Sequence, residues 1–139
     1  MKEFFLDTNI FLRFLVDSKG KQHKECVKLF ELIEQRKIKG VICCLILVEV
    51  YFTLKSFYKF SSSKCKRILE HILGLKNLRT VDDFNYHQAL ELFNKTGVKF
   101  VDCLIASLGF FQDGGVIISY DKDFDKLGIK RIEPAELWK

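Results

Sequence analysis

Proline is almost absent from this chain: the only one, Pro134, lies near the carboxyl end, and no Pro- or Ser-rich stretch offers a linker. With 139 residues, 48% of them hydrophobic, and no internal repeat, the chain is expected to fold as a single domain, residues 1–139, around one core. Long apolar runs are missing too. Lys, Glu or Asp interrupts each hydrophobic stretch before it reaches the roughly 18 to 20 residues that a membrane span requires. The opening Met1-Lys2-Glu3-Phe4-Phe5-Leu6-Asp7 meets an acid after three apolar residues, too soon for the apolar segment of a secretory signal. A cytoplasmic protein without membrane association is the expectation.

Cysteine and histidine are present but not in patterns that bind. Cys26, Cys43, Cys44, Cys65 and Cys103 are odd in number and contain no C-x-x-C pair, which argues against a disulfide framework and against structural zinc. Cys43 and Cys44, if on a strand, point to opposite faces and cannot chelate one ion together. His23, His71 and His87 are scattered, so imidazole-based metal or nucleophilic chemistry lacks its partners. Reduced, mostly buried thiols are expected. The groups left for chemistry are carboxylates and cations.

The net charge is +5, unevenly spread. Lys55, Lys59, Lys64, Lys66 and Arg67 fall in a segment with no acid, interleaved with Phe57, Tyr58 and Phe60. Cations with aromatics between them can follow a phosphate backbone and stack on bases. The plainer alternative is a solvated helix face above a core stripe.

Apolar periodicity divides the chain into alternating elements. Glu3 to Leu6 reads as a buried strand and Asn9 to Val16 as a helix directly after it. Lys21 to Lys37 reads as an amphipathic helix, with Gly40 as punctuation before a strand from Val41 to Cys44. Leu45 to Phe60 predicts a helix buried on most of its surface, and Ser61 to Ser63 can cap a helix over Lys64 to Leu73 that Gly74 closes. Leu78 to Val81 predicts a third strand, and Asp82 or Asp83 can cap a helix running through Lys95 to Gly97. A helix from about Asp102 to Phe111, a strand from Val116 to Ser119, a helical turn around Phe124 and an edge strand from Lys130 to Ile132 complete the series. Such alternation implies an α/β fold with a mainly parallel sheet covered on both faces. In these sheets the functional site lies beyond the carboxyl ends of the strands.

That rule brings four acids toward one place. Asp7 follows the first strand, Asp121 follows the Val116 strand after Tyr120, Asp102 opens a helix, and Glu49 lies one turn into another. Each also has an ordinary role. Asp7 and Asp102 can be helix N-caps, and Asp121, Asp123 and Asp125 can be solvated turn residues. Glu49 is harder to dismiss, because Leu45 to Leu54 contains no polar residue besides Glu49 and Thr53. A buried carboxylate without a partner costs several kcal/mol or becomes protonated, so a basic side chain or a cation must face it. Several carboxylates together repel one another unless a divalent ion neutralises them. All-oxygen ligands select hard ions, Mg²⁺ or Mn²⁺, and a water made acidic by such an ion can attack a phosphodiester in line.

At four places in order the chain resembles the PIN-domain nucleases, most closely the VapC-like toxins of VapBC toxin-antitoxin modules. Phe5-Leu6-Asp7-Thr8-Asn9 is similar to the family's opening D-T-[SN], and Glu49 falls in its Glu-containing helix. Phe100-Val101-Asp102-Cys103-Leu104-Ile105-Ala106 is similar to D-x-x-[IL]-A, and Ser119-Tyr120-Asp121-Lys122-Asp123-Phe124 to T-x-D-x-D-F, with Ser in place of Thr. The resemblance covers nearly the whole chain. It implies a three-layer α/β/α domain with about five strands and Mg²⁺- or Mn²⁺-dependent endoribonuclease activity, with Asp7, Glu49, Asp102 and Asp121 as the acidic site and Asp123 as a further ligand. Thr8, Asn9 and Ser119 have the chemistry to hold those carboxylates by hydrogen bonds. A homodimer and a small antitoxin whose tail enters the groove are implied as well.

Three rival readings have specific signs. A phosphatase with a strand-end Asp nucleophile carries a second Asp two residues on, where this chain has Asn9. A binding module that cuts nothing would have lost acids, and all four are present. A housekeeping RNA-processing nuclease keeps the same chemistry, and the small size of the chain favours the toxin.

Overall fold

A computed structural model describes residues 1–139. Five parallel strands form one sheet in the order β3-β2-β1-β4-β5. They are β1 (Lys2–Leu6), β2 (Ile38–Ile42), β3 (Leu78–Thr80), β4 (Val116–Ile118) and β5 (Lys130–Ile132). The chain moves outward from β1 to β2 and β3, then returns to the other side of β1 for β4 and β5. Helices α1 (Thr8–Leu15), α2 (Gly20–Glu34), α3 (Cys44–Ser56), α4 (Ser62–Leu73), α5 (Tyr86–Thr96), α6 (Phe100–Ala106) and α7 (Gly109–Gln112) connect them in a three-layer α/β/α arrangement. No helix is long and apolar enough to cross a membrane.

The central strands are those whose sequences are apolar at successive positions, as burial on both faces demands. Phe4, Phe5 and Leu6 of β1 and Val116, Ile117 and Ile118 of β4 are all buried, whereas the edge strands β3 and β5 carry exposed Arg79 and Lys130. Phe5 lies 5.3 Å from Phe111, and Phe11 lies 5.4 Å from Phe30, so aromatic pairs lock helices to the sheet and to each other. β1 pairs with β4 through Leu6 opposite Ile118, and the ladder continues one step further when Asp7 N–H donates to the Ile118 carbonyl at 3.2 Å. Chain direction reverses its march across the sheet between β1 and β4, which places a crevice at their carboxyl ends.

Four local expectations are corrected by packing. Gly40 does not punctuate; it sits inside β2 opposite Phe4, because a Cβ there would lie 2.8 Å from Leu78 Cδ1 and 3.0 Å from Leu6 Cδ1. The helix expected from Leu45 to Phe60 ends at Ser56, and Lys59 turns the chain with a left-handed φ of 58°. It is not buried on most of its surface: Ile46, Val50 and Leu54 form one buried stripe, while Phe52 is 59% exposed. The helix expected from Asp102 to Phe111 starts earlier and is split, with Ser107 and Leu108 between α6 and α7. Ser107 Oγ accepts from Asn85 N–H there, so the break serves the start of α5.

Asn85, and neither Asp82 nor Asp83, caps α5 by accepting from Gln88 N–H at 3.0 Å. Asp82 accepts instead from Cys44 N–H at 2.7 Å, tying the start of α3 to the end of β3. The cysteines are unpaired, with all but Cys44 buried. Burial pushes the Cys26 thiol up to about 11 and the Cys43 thiol up to about 12, so both stay protonated and inert. From the caps, Asn85→Ala is expected to lower unfolding free energy by about 1 kcal/mol while Asp83→Ala changes it by less than about 0.5 kcal/mol. Urea titration of the two variants checks this, and equal losses would contradict the observed cap.

Candidate active site

Asp7 is the first residue after β1 and also the N-cap of α1, its Oδ1 accepting from Thr8 N–H at 2.8 Å. Capping does not exhaust the carboxylate. Its Oδ2 accepts from Ser119 Oγ at 2.6 Å, and Ser119 is the residue after β4. Ser119 Oγ in turn accepts from Asp121 N–H at 2.9 Å, so one buried hydroxyl fixes both strand-end acids. Arg131 of β5 donates to the Ser119 carbonyl at 2.9 Å, which holds the turn from the other side.

Glu49 enters from α3 and Asp102 from α6. Thr8 Oγ1 donates to Glu49 Oε1 at 3.2 Å, linking α1 to α3 at the rim. Asp102 is only 2% exposed and is not a cap; Lys99 occupies the N-cap position of α6. Asp102 Oδ2 is buried and has no hydrogen-bond partner. The Lys99 ammonium stands 3.9 Å from that oxygen and 3.9 Å from Glu49 Oε2, close enough to share charge and too far to donate.

The charges of these groups are interdependent. Burial raises the Asp7 carboxyl above the usual carboxylate range, against the pull of Ser119 and Thr8, and Asp121 adds to the rise. Burial also raises Glu49, with Lys99 opposing. Asp102 is pushed up to about 7 by burial, which the Lys99 charge only partly offsets and which Asp7, Glu49 and Asp121 reinforce. Lys99 itself is partly buried, which disfavours its charge, yet Asp102, Glu49, Asp7 and Asp121 together raise it above the ordinary lysine range. Each of the four acids thus acts on Lys99, and they form one electrostatic unit.

The structure brings the four acids expected from the sequence near one another, and hydrogen-bonds Thr8 to Glu49 and Ser119 to Asp7. Asn9 is exposed and holds none of them. Asp123 stands apart: its carboxylate faces Lys126 at 3.2 Å on the surface, and only its backbone N–H touches the site, donating to Asp121 Oδ1 at 2.9 Å. The basic segment makes no ion pair with the four acids. Lys55 donates to Ser62 at 3.2 Å, Lys64 covers the Phe60 ring at 3.9 Å, Lys66 is 3.8 Å from Glu70, and Lys59 and Arg67 are exposed. Lys99 was missed. Its signal was its place three residues before Asp102, the spacing at which side chains on a helix meet.

The donor set is all oxygen, and the orphaned Asp102 Oδ2 is the kind of atom a hard cation satisfies. The spacing does not close on such an ion: no three His, Cys, Asp or Glu side chains converge on one point. The chemistry of the site therefore fits a divalent ion, while its present arrangement is fitted to an ammonium.

Three comparisons with known proteins agree. The PIN-domain family model matches residues 4–130. A curated relative, "VapC ribonuclease" of Aquifex aeolicus (strain VF5), is 25% identical over 131 residues, 94% of this chain and 96% of its own. Among solved structures, VapBC2 from Rickettsia felis, bound to a DNA fragment from its promoter, aligns with a TM-score of 0.69 at 16% identity. That match covers 94% of this chain and 98% of the other. VapC20 of Mycobacterium tuberculosis, described as a sarcin-ricin loop cleaving toxin, aligns with a TM-score of 0.64 at 13% identity, covering 91% and 95%.

A carboxyl whose pKa rises on folding makes the fold progressively less stable as pH climbs from its unfolded value to its folded one. For Asp102 that window runs from about 4 to about 7 in ion-free protein. Asp102→Asn is expected to match wild type at pH 4 in EDTA and to be more stable at pH 8 by about 1 to 4 kcal/mol. Thermal unfolding at the two pH values decides it, and a difference independent of pH would contradict the buried, raised carboxyl.

Proposed function

The chain belongs to the PIN-domain family, and from that premise we propose that it is a divalent-ion-dependent endoribonuclease, the toxin of a type II toxin-antitoxin pair. The observation that carries the reading is the buried, unsatisfied Asp102 Oδ2 within a unit of four carboxylates at the β1–β4 crevice. The named activity of the Aquifex aeolicus relative, which matches over almost all of both chains, supports ribonuclease chemistry and favours the toxin over a housekeeping nuclease. The whole of residues 1–139 works as one domain in this reading.

Asp7, Asp102, Asp121 and Glu49 would hold Mg²⁺ or Mn²⁺, with Asp7 and Asp102 the most direct ligands. Bound there, the ion supplies the positive charge that makes a water more acidic and that stabilises charge building up on the phosphate. The chain's own residues do the positioning. Ser119 Oγ and Thr8 N–H each take one oxygen of Asp7 and fix its plane. Thr8 Oγ1 holds Glu49 Oε1, and Glu49 and Asp121 would complete the ion's shell or orient the attacking water. Asp123 N–H fixes Asp121, and the Asp123 side chain serves as an outer ligand at most. Lys55, Lys59, Lys64, Lys66 and Arg67 form a secondary track for the RNA backbone away from the cut.

A cytoplasmic homodimer completes the proposal. Val48 and Phe52 of α3 and Tyr86, Leu90 and Phe93 of α5 are exposed large apolar side chains, the kind of surface a second copy covers. The antitoxin would be a small protein that places a positively charged tail among the acids.

The test is cleavage of a pool of structured RNAs by purified protein in Mg²⁺, Mn²⁺ or EDTA. Discrete cuts that require the ion, and fall at least about 100-fold in Asp7→Ala and Asp102→Asn, are expected. Wild-type cleavage by folded Asp102→Asn in Mn²⁺ would overturn the site. Strong expression in a bacterial host is expected to arrest growth, relieved by Asp7→Ala, and unimpaired growth would reject the toxin role.

A further inference from the structure

Lys99 is the one feature of the acidic crevice that a nuclease site built solely to hold a divalent ion does not explain. Its ammonium lies between Glu49 and Asp102 at 3.9 Å from each, and it is subject to the charges of Asp7 and Asp121 as well. Those separations are salt-bridge distances, whereas Mg²⁺ draws its oxygen ligands to roughly 2.0 to 2.1 Å. Glu49 and Asp102 thus flank a monovalent charge, and no three acids converge as ligands. Lys99 gives Asp102 charge without a hydrogen bond, leaving Oδ2 unsatisfied. Its own side chain is 58% exposed on a flexible stem, so solvent offers it an alternative position at little cost.

We propose that Lys99 is an exchangeable counter-cation of the acidic site: it neutralises Glu49 and Asp102 in the ion-free protein and swings out to solvent when a divalent ion is bound. The inference rests on the metal-site reading above. Without Lys99 the ion-free crevice would hold like charges in a desolvated place with nothing opposing them, and the fold would lose stability. With Lys99 in place, an entering ion must displace a paired ammonium, so apparent ion affinity is lowered by the fraction of time the crevice is occupied. Once outside, the ammonium is free to pair with a phosphate of the RNA. Lys99 is thus a positioning residue that sets how much ion the protein needs before it is charged for cleavage.

The experiment is Mn²⁺ binding without RNA, by calorimetry, to wild type, Lys99→Gln, Lys99→Arg and Asp102→Asn. Lys99→Gln is expected to bind Mn²⁺ about tenfold more tightly and to melt at lower temperature in EDTA, with Lys99→Arg restoring both toward wild type. A second readout uses wild type alone: amine-reactive labelling read by mass spectrometry, in EDTA and in saturating Mg²⁺. Labelling of Lys99 is expected to rise several-fold with Mg²⁺ while that of Lys95 stays constant. Unchanged Mn²⁺ affinity in folded Lys99→Gln, or unchanged labelling of Lys99, overturns the exchange while leaving the metal site standing. Wild type that binds no Mn²⁺ overturns the metal site and the exchange together.

Discussion

Ser119 donates to Asp7 across the junction of β4 and β1, at 2.6 Å, and much of the site's arrangement follows from that contact. The two residues are 112 positions apart in sequence and meet because the chain reverses direction across the sheet between these strands. The hydroxyl is wholly buried and serves twice, donating to one strand-end acid and accepting from the backbone of the other. With Asp7 fixed, α1 begins at Thr8, and Thr8 reaches Glu49 on α3. One short hydrogen bond thus sets the register in which three separate elements present carboxylates.

Assembling those carboxylates has an electrostatic cost that the rest of the crevice must meet. Water can solvate Glu49 and Asp121 in part, but Asp102 is almost fully enclosed, and its buried Oδ2 is left without a hydrogen bond. A fold selected for stability alone would put an apolar residue or a complete hydrogen-bond network there. An acid in such a place lowers stability, and Lys99 limits the loss. This accounts for an ammonium in a place whose ligand chemistry suits a divalent ion. Protonation of Asp102 and the position of Lys99 are two answers to the same buried charge, and in the proposed nuclease a bound ion would be a third.

Away from the crevice the molecule divides its surface by chemistry. The basic segment at the end of α3 and the start of α4 is partly occupied by its own contacts, through Ser62, the Phe60 ring and Glu70. The outer faces of α3 and α5 keep large apolar side chains in solvent, Phe52 at 59% among them. That distribution explains why α3 looked buried on most of its surface when read as a string. An apolar face that the isolated chain leaves open has the same composition as a core face, and periodicity cannot tell which of the two a second surface will cover.

The sequence by itself determined the class of fold and singled out the four acids that the fold brings near one another. Continuous apolar runs such as Phe4-Phe5-Leu6 and Val116-Ile117-Ile118 can be satisfied only inside a covered parallel sheet, and the rule that such sheets work at their carboxyl ends pointed to Asp7 and Asp121. Tertiary structure alone decided which local alternatives won. Asp83 and Asn85 are both good caps, and the choice fell to Asn85 because Ser107, 22 residues away, receives its N–H. Gly40 had the composition of a break and lies inside a strand, paired with Phe4, where a Cβ would press on the Leu6 and Leu78 side chains. Lys99 had a local signal toward Asp102, but its place between two acids was not legible because its other partner, Glu49, is 50 residues distant in sequence and on another helix. Local propensity and pattern act over a few residues, whereas sharing a charge, filling a gap or completing a hydrogen bond depends on which surfaces the finished fold brings together.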